Sequence, residues 1–234
     1  MHPTVRQARV AGSLYVAMGL PAPFALIYLP GKLIVRGDAT ATANNILASQ
    51  MLFRLGIVAE LVSAVFFVLL VMALHRLLSG VNKNHARLMV GLVLVSVAIT
   101  FVGVVNNIAA LTLFRGADFP YLSVFDKPQR DALGMLFLGL HSQGTFVNEI
   151  FWGLWLLPFG LLVMRSGFLP RILGVLLIVN GFAYVVISLT WLLLPAYGSV
   201  LFRASLPALL GELWIMLWLL IKGAKVEPLP AAAS

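Results

Sequence analysis

The sequence predicts an all-α fold: a polytopic membrane helix bundle of six transmembrane helices, with a short amphipathic helix between spans one and two. Three observations predict it. Hydrophobic residues make up 61% of the chain and charged residues 10%, with a mean hydropathy of +1.01. Soluble domains run near ~45–50% apolar and ~25% charged. Six apolar runs are long enough to cross a bilayer core, which takes roughly 20 residues of helix at ~1.5 Å each. The Lys and Arg residues cluster at the ends of these runs. The formal charge of +8 therefore belongs to span ends, and no nucleic-acid partner is expected from it. Absence of cysteine excludes disulfides, thiolate metal sites and cysteine nucleophiles. One transmembrane domain over residues 1–234 is expected.

Span one is expected over about 10–29. Arg6 and Arg9 before an apolar run have the outline of a signal peptide, but the run continues to Leu29, so a retained span is expected. Pro21 and Pro23 remove backbone donors and obstruct the preceding turn, which predicts a kink or break. Asp38 is placed to cap a short helix through Ala39–Ser49, too polar to span. Span two, about 51–78, sets Gly56, Glu60 and Ser63 on one face. A connection from Ser79 to Ala86 leads to span three, about 88–114, with Ser96, Thr100, Gly103 and Asn107 on one stripe and Asn106 beside it.

The longest loop is expected from Arg115 to Asp131. Span four, about 133–165, then carries His141, Thr145, Asn148, Glu149 and Trp152 at i, i+4, i+7, i+8 and i+11, which is one helical face, with Gln143 nearby. A polar stripe on a membrane helix cannot face lipid, so the other helices must arrange around it. A sharp connection at Arg165–Arg171 leads to span five, about 172–194, where Asn180, Tyr184 and Ser188 align. Span six, about 200–221, carries Glu212 near its middle. The tail from Lys222, with Lys225 and Pro228, is expected to be loose, and no internal repeat is evident.

Six spans place both termini on one side. With Arg6, Arg9, Arg76, Lys83, Arg87, Arg165, Arg171, Lys222 and Lys225 there, that side holds nine basic residues against seven opposite, namely Lys32, Arg36, Arg54, Arg115, Lys127, Arg130 and Arg203. The excess favours cytoplasmic termini in a bacterial inner membrane.

The runs GKLIVRGDATATANNILASQMLFRLGIVAE (Gly31 to Glu60) and RSGFLPRILGVLL (Arg165 to Leu177) resemble a bacterial integral-membrane family described as domain of unknown function 4386. Span order and length extend the resemblance over nearly the whole chain. The Gly37–Asp38 pair after span one and the acid at Glu60 match the pattern expected there. The resemblance implies a membrane protein of six or seven helices and brings no assigned reaction, cofactor or catalytic residue.

Glu60, Glu149 and Glu212 lie within spans, with no Lys or Arg at comparable depth. A charged acid at mid-bilayer costs on the order of 2.5–3.5 kcal/mol, so three bare anions would cost roughly 8–10, comparable with a protein's whole net stability. They must be neutral, hydrogen-bonded, wet or bound to a cation. Glu60 lies at the depth of Asn106, Asn107 and His141, with Glu149 and Glu212 nearer the middle; with Asn148, Gln143 and Asn180 they suggest one pocket with a polar floor, open toward the non-cytoplasmic side or laterally to lipid. Its apolar walls would come from Trp152, Tyr184, Phe146, Trp155 and Trp214. The blander reading is that each Asn joins two helices and each Trp packs. Catalytic candidates are Glu149, Glu212, Glu60 and His141; no metal site is expected, since His141 and Glu149 stand ~12 Å apart along one helix. Three classes stay open: acid–base chemistry on, or binding of, an apolar small-molecule ligand; proton-coupled transport; and a purely structural role. The cofactor is unknown, the surrounding partners are membrane lipids, and an oligomer is possible.

Overall fold

The computed structural model describes residues 3–225; His2 and the tail after Lys225, Pro228 included, lie outside the described residues. These form α1 (Pro3–Gly19), a π-helical turn (Phe24–Tyr28), α2 (Leu29–Leu33), α3 (Ala39–Ala48), α4 (Gln50–Leu78) and α5 (Lys83–Phe114). After two short 3-10 turns come α6 (Lys127–Leu154), α7 (Leu156–Arg165), α8 (Arg171–Leu193), α9 (Pro195–Leu209) and α10 (Gly211–Ile221). Among the described residues, six helical stretches are long and apolar enough to cross a membrane: Thr4–Leu33, Gln50–Leu78, Lys83–Phe114, Lys127–Arg165, Arg171–Leu193 and Pro195–Ile221. The protein is an all-α, multi-pass membrane protein.

Proline decides where two of the spans are interrupted, and a third is interrupted after Leu209. The carbonyls of Ala17 and Gly19 would bond to residues 21 and 23, both prolines without an N–H, and α1 ends at Gly19. The chain resumes as a π-helical turn between Pro23 and Pro30. This is the break that the two prolines predict. Spans four and six, expected to be continuous, are interrupted as well. Pro158 cannot donate to Leu154, and α6 stops at that residue. Pro207 lies inside α9, whose end at Leu209 precedes Gly211 at the start of α10.

Caps lengthen two helices beyond their apolar runs. Asn82 Oδ1 accepts from the His85 amide at 2.9 Å, so α5 begins at Lys83 instead of 88. Asp126 and Gln129 form a reciprocal capping box at 2.8 and 2.9 Å, so α6 begins at Lys127 instead of 133. Lys127 also pairs at 2.6 Å with the buried Asp131. Asp38 caps α3 by accepting from the Ala41 amide at 2.8 Å, and Thr42, Ala43 and Ile46 form that helix's buried face. Gly37 before it has φ +80°, which a side chain would resist.

The chain divides into two compact units. Unit 1 comprises Met1–Val16, Val68–Val93 and Ile150–Ser234, and unit 2 comprises Ala17–Phe67 and Leu94–Glu149. In unit 2, α3 is sewn to the end of α2 by Asn45, whose amide donates to the Leu33 carbonyl at 3.3 Å. A buried apolar cluster of Leu29, Ile46, Phe53, Ile57, Leu111 and Phe114 lies around that junction.

Unit 1 is assembled on glycines. A Cβ on Gly153 would fall onto the Gly181 carbonyl oxygen, and one on Gly181 onto that of Gly153; Gly160 and Gly174 exclude one another in the same way. Both pairs lie between α8 and the α6–α7 span. Gly12 abuts the backbone of Leu220, and Gly211 the carbonyl of Leu176. Without a hydrophobic force between helices in lipid, such close backbone approach is a main source of association. Gly181→Val and Gly174→Val should each destabilise the protein by about 1–3 kcal/mol through overpacking. Gly91→Ala and Gly139→Ala, where nothing lies within 4 Å, should stabilise it by ~0.5–1 kcal/mol. Thermal unfolding in detergent measures both.

Candidate functional site

In unit 2 the polar stripes of spans three and four face one another. Asn148 Nδ2 donates to Thr100 Oγ1 at 3.0 Å, and Thr100 donates to the Ser96 carbonyl at 3.1 Å. The His141 ring lies over Gly103, where a Cβ would stand 3.1 Å from Nδ1. Asn107 Nδ2 donates to Glu60 Oε1 at 3.4 Å, and His141 Nε2 lies 3.6 Å from the same oxygen. The second distance is too long for a hydrogen bond, yet short enough for a small shift or one water to join the groups. The seam from Asn107 to Ser96 occupies about 16 Å of α5, roughly half a bilayer core. Its small members are part of the design, since Gly103 leaves the space that the imidazole fills.

Several seam atoms are left without partners. Ser96 Oγ, Asn148 Oδ1 and Glu149 Oε2 are buried and have no hydrogen-bond partner among the described residues. Glu149 is only 8% exposed, so the membrane gives it no easy route to water. Buried polar atoms are nearly always bonded to protein or to ordered water, which sets these three oxygens apart.

Unit 1 holds a second set around Glu212, which stands in the first turn of α10. Tyr15 Oη donates to Glu212 Oε1. Asn180 Nδ2 lies 3.4 Å from Glu212 Oε2 and 3.4 Å from the Leu209 carbonyl at the end of α9. The Tyr184 hydroxyl is a further hydrogen-bond partner of the carboxyl. Each tyrosine ring packs on a tryptophan: Tyr15 on Trp155 at 6.1 Å, and Tyr184 on Trp152, edge to face, at 6.0 Å. Trp155 stacks in turn on Phe159 at 5.3 Å. The glycine contacts place these groups. Gly12 lies one turn before Tyr15, Gly181 adjoins Asn180, and Gly211 adjoins Glu212.

The polar residues expected at one constellation thus have two sets of partners. Glu60, His141, Asn107 and Asn148 belong to the seam, on which Glu149 shares the stripe of α6; Glu212, Asn180, Tyr184 and Trp152 belong to the set in unit 1. Gln143 is exposed, Asn106 is half-buried, and Trp214 is 56% exposed on α10. Tyr15 was not singled out by the sequence. The available signal was a hydroxyl-bearing ring in mid-span, since such a group needs a partner from another helix.

Six membrane-crossing helices with polar groups bonded in their interior define a polytopic α-helical integral membrane protein. More narrowly, the family described as "Domain of unknown function (DUF4386)" matches residues 10–223, and the chain belongs to that family. No curated protein and no solved structure matches it.

The seam bond has a measurable strength. Thr100→Val and Asn148→Leu, combined in a double-mutant cycle, should show a coupling of about 0.6 kcal/mol, the average for interhelical hydrogen bonds in membranes. Unfolding in detergent measures it.

Proposed function

We propose that the protein binds a lipid-soluble small molecule inside the bilayer and carries out acid–base chemistry on it, with Glu60 and His141 as the proton-exchanging pair. The observation that carries this reading is the approach of His141 Nε2 to Glu60 Oε1 at 3.6 Å, with Asn107 holding the same oxygen. Joined by a small shift or one water, the imidazole and the carboxyl can pass one proton between them, and each can exchange it with a ligand in the seam. Asn107 orients Glu60. The ligand is an apolar body with a hydrogen-bonding group that answers Asn148 Oδ1 or Glu149 Oε2. Membrane lipids form the surroundings. The setting is a bacterial inner membrane with both termini in the cytoplasm, the orientation favoured by nine basic residues against seven.

A second reading, proton-coupled transport by the same carboxyls, is supported by the interruptions near Pro21, at Trp155 and at Leu210, because broken helices often frame transport sites. Lipid extracts of a deletion strain complemented with wild type, Glu60→Gln or His141→Gln test the first reading. Wild type should restore a shifted lipid-soluble component; the two variants, present at equal amounts in the membrane, should lose at least about tenfold of that activity, the lower part of the range for one acid–base group. Restoration by both variants would refute it. Proton flux into liposomes carrying the protein, with no change in the lipid extract, would favour transport.

A further inference from the structure

Glu212 is a carboxyl among aromatic rings, with no Lys or Arg among its hydrogen-bond partners in the described residues. We propose that the Glu212 set in unit 1 is a binding site for a lipid-soluble organic ammonium ion, its charge held by the Glu212 carboxylate and its alkyl groups packed on the Tyr184 and Trp152 rings. The inference goes beyond the acid–base reading and uses neither Glu60 nor His141.

Three features of the site lead to this ligand class. The first is charge. One carboxylate among neutral donors is balanced by one positive charge, and a net-neutral pair is the economical way to keep a carboxylate inside a membrane. The second is the lining. Two Tyr–Trp pairs meet at one carboxyl, one of them edge to face. Aromatic faces attract alkylammonium groups, the more strongly when water is excluded, whereas a bare alkali ion would want oxygens in place of rings. The third is access. Tyr15, Trp155 and Asn180 are buried and form a floor, while Glu212, Tyr184 and Trp152 are only partly buried. The partly exposed edges of Tyr184 and Trp152 are where the ligand's alkyl groups would approach the carboxyl. Asn180 Oδ1, fully buried and without a partner among the described residues, adds an acceptor for a donor on a primary or secondary ammonium.

Tetraethylammonium chloride, titrated into the full chain in nanodiscs and followed by tryptophan fluorescence, tests the proposal. The expected result is a saturable change that Glu212→Gln weakens by at least about tenfold and Trp152→Leu by about threefold or more. Sodium chloride at equal concentration and the uncharged triethylcarbinol should leave the signal unchanged. An equal response to sodium chloride would make this an inorganic cation site, an equal response to triethylcarbinol a neutral cavity, and either result overturns the proposal. So does wild-type affinity in Glu212→Gln. Should that variant fail to fold, Trp152→Leu decides, because Trp152 is partly exposed and is not itself a hydrogen-bond partner of Glu212; wild-type affinity there overturns the proposal.

Discussion

In hydrocarbon, a polar atom that finds no partner inside the protein finds none at all, and most of this structure follows from that constraint. It is why the chain is helical across all six spans, since a helix bonds its own backbone. It is also why the prolines in spans one and four have a visible effect. Where Pro158 withholds a donor from Leu154, α6 ends; where α9 ends at Leu209, the amide of Asn180 reaches the released carbonyl. A side chain does there what water would do in a soluble protein.

The same constraint pairs the polar stripes. Thr100 and Gly103 on α5 meet Asn148 and His141 on α6 because neither stripe can be turned toward lipid, and opposing them satisfies both. Pairing is incomplete, however. Among the described residues, the Ser96, Asn148 and Glu149 oxygens have no partner, unlike the bonded groups around them. On the proposed reading these oxygens answer the ligand, while Glu60 and His141 exchange its proton.

Glycine does the complementary work. Gly153 with Gly181, and Gly160 with Gly174, bring two spans into backbone contact, while Gly12 and Gly211 do so at the helices carrying Tyr15 and Glu212. Because Gly12, Gly181 and Gly211 lie within one turn of Tyr15, Asn180 and Glu212, helix packing and site geometry are one arrangement. The tyrosines deliver their hydroxyls from α1 and α8 to a carboxyl on α10 without a flexible loop intervening.

Residue chemistry read in order was enough for the fold class, the six spans, the capped helix after Asp38, the break at Pro21 and Pro23, and the stripes on spans three and four. These depend on local hydropathy, on prolines and on a 3.6-residue period, all carried by neighbouring residues. The interruption at Trp155 was written in Pro158 but masked by an unbroken apolar run, and the early starts of α5 and α6 were masked by polar first turns lying outside such runs. Periodicity places Glu60, Glu149 and Glu212 on inward faces but says nothing of which partners each one meets. That was decided by tertiary structure alone, because the bonds of Glu60 to Asn107 and of Glu212 to Tyr15 join residues 47 and 197 positions apart. Such pairings are set by how closely backbones approach, and the approach depends on glycines whose counterparts no local pattern reveals.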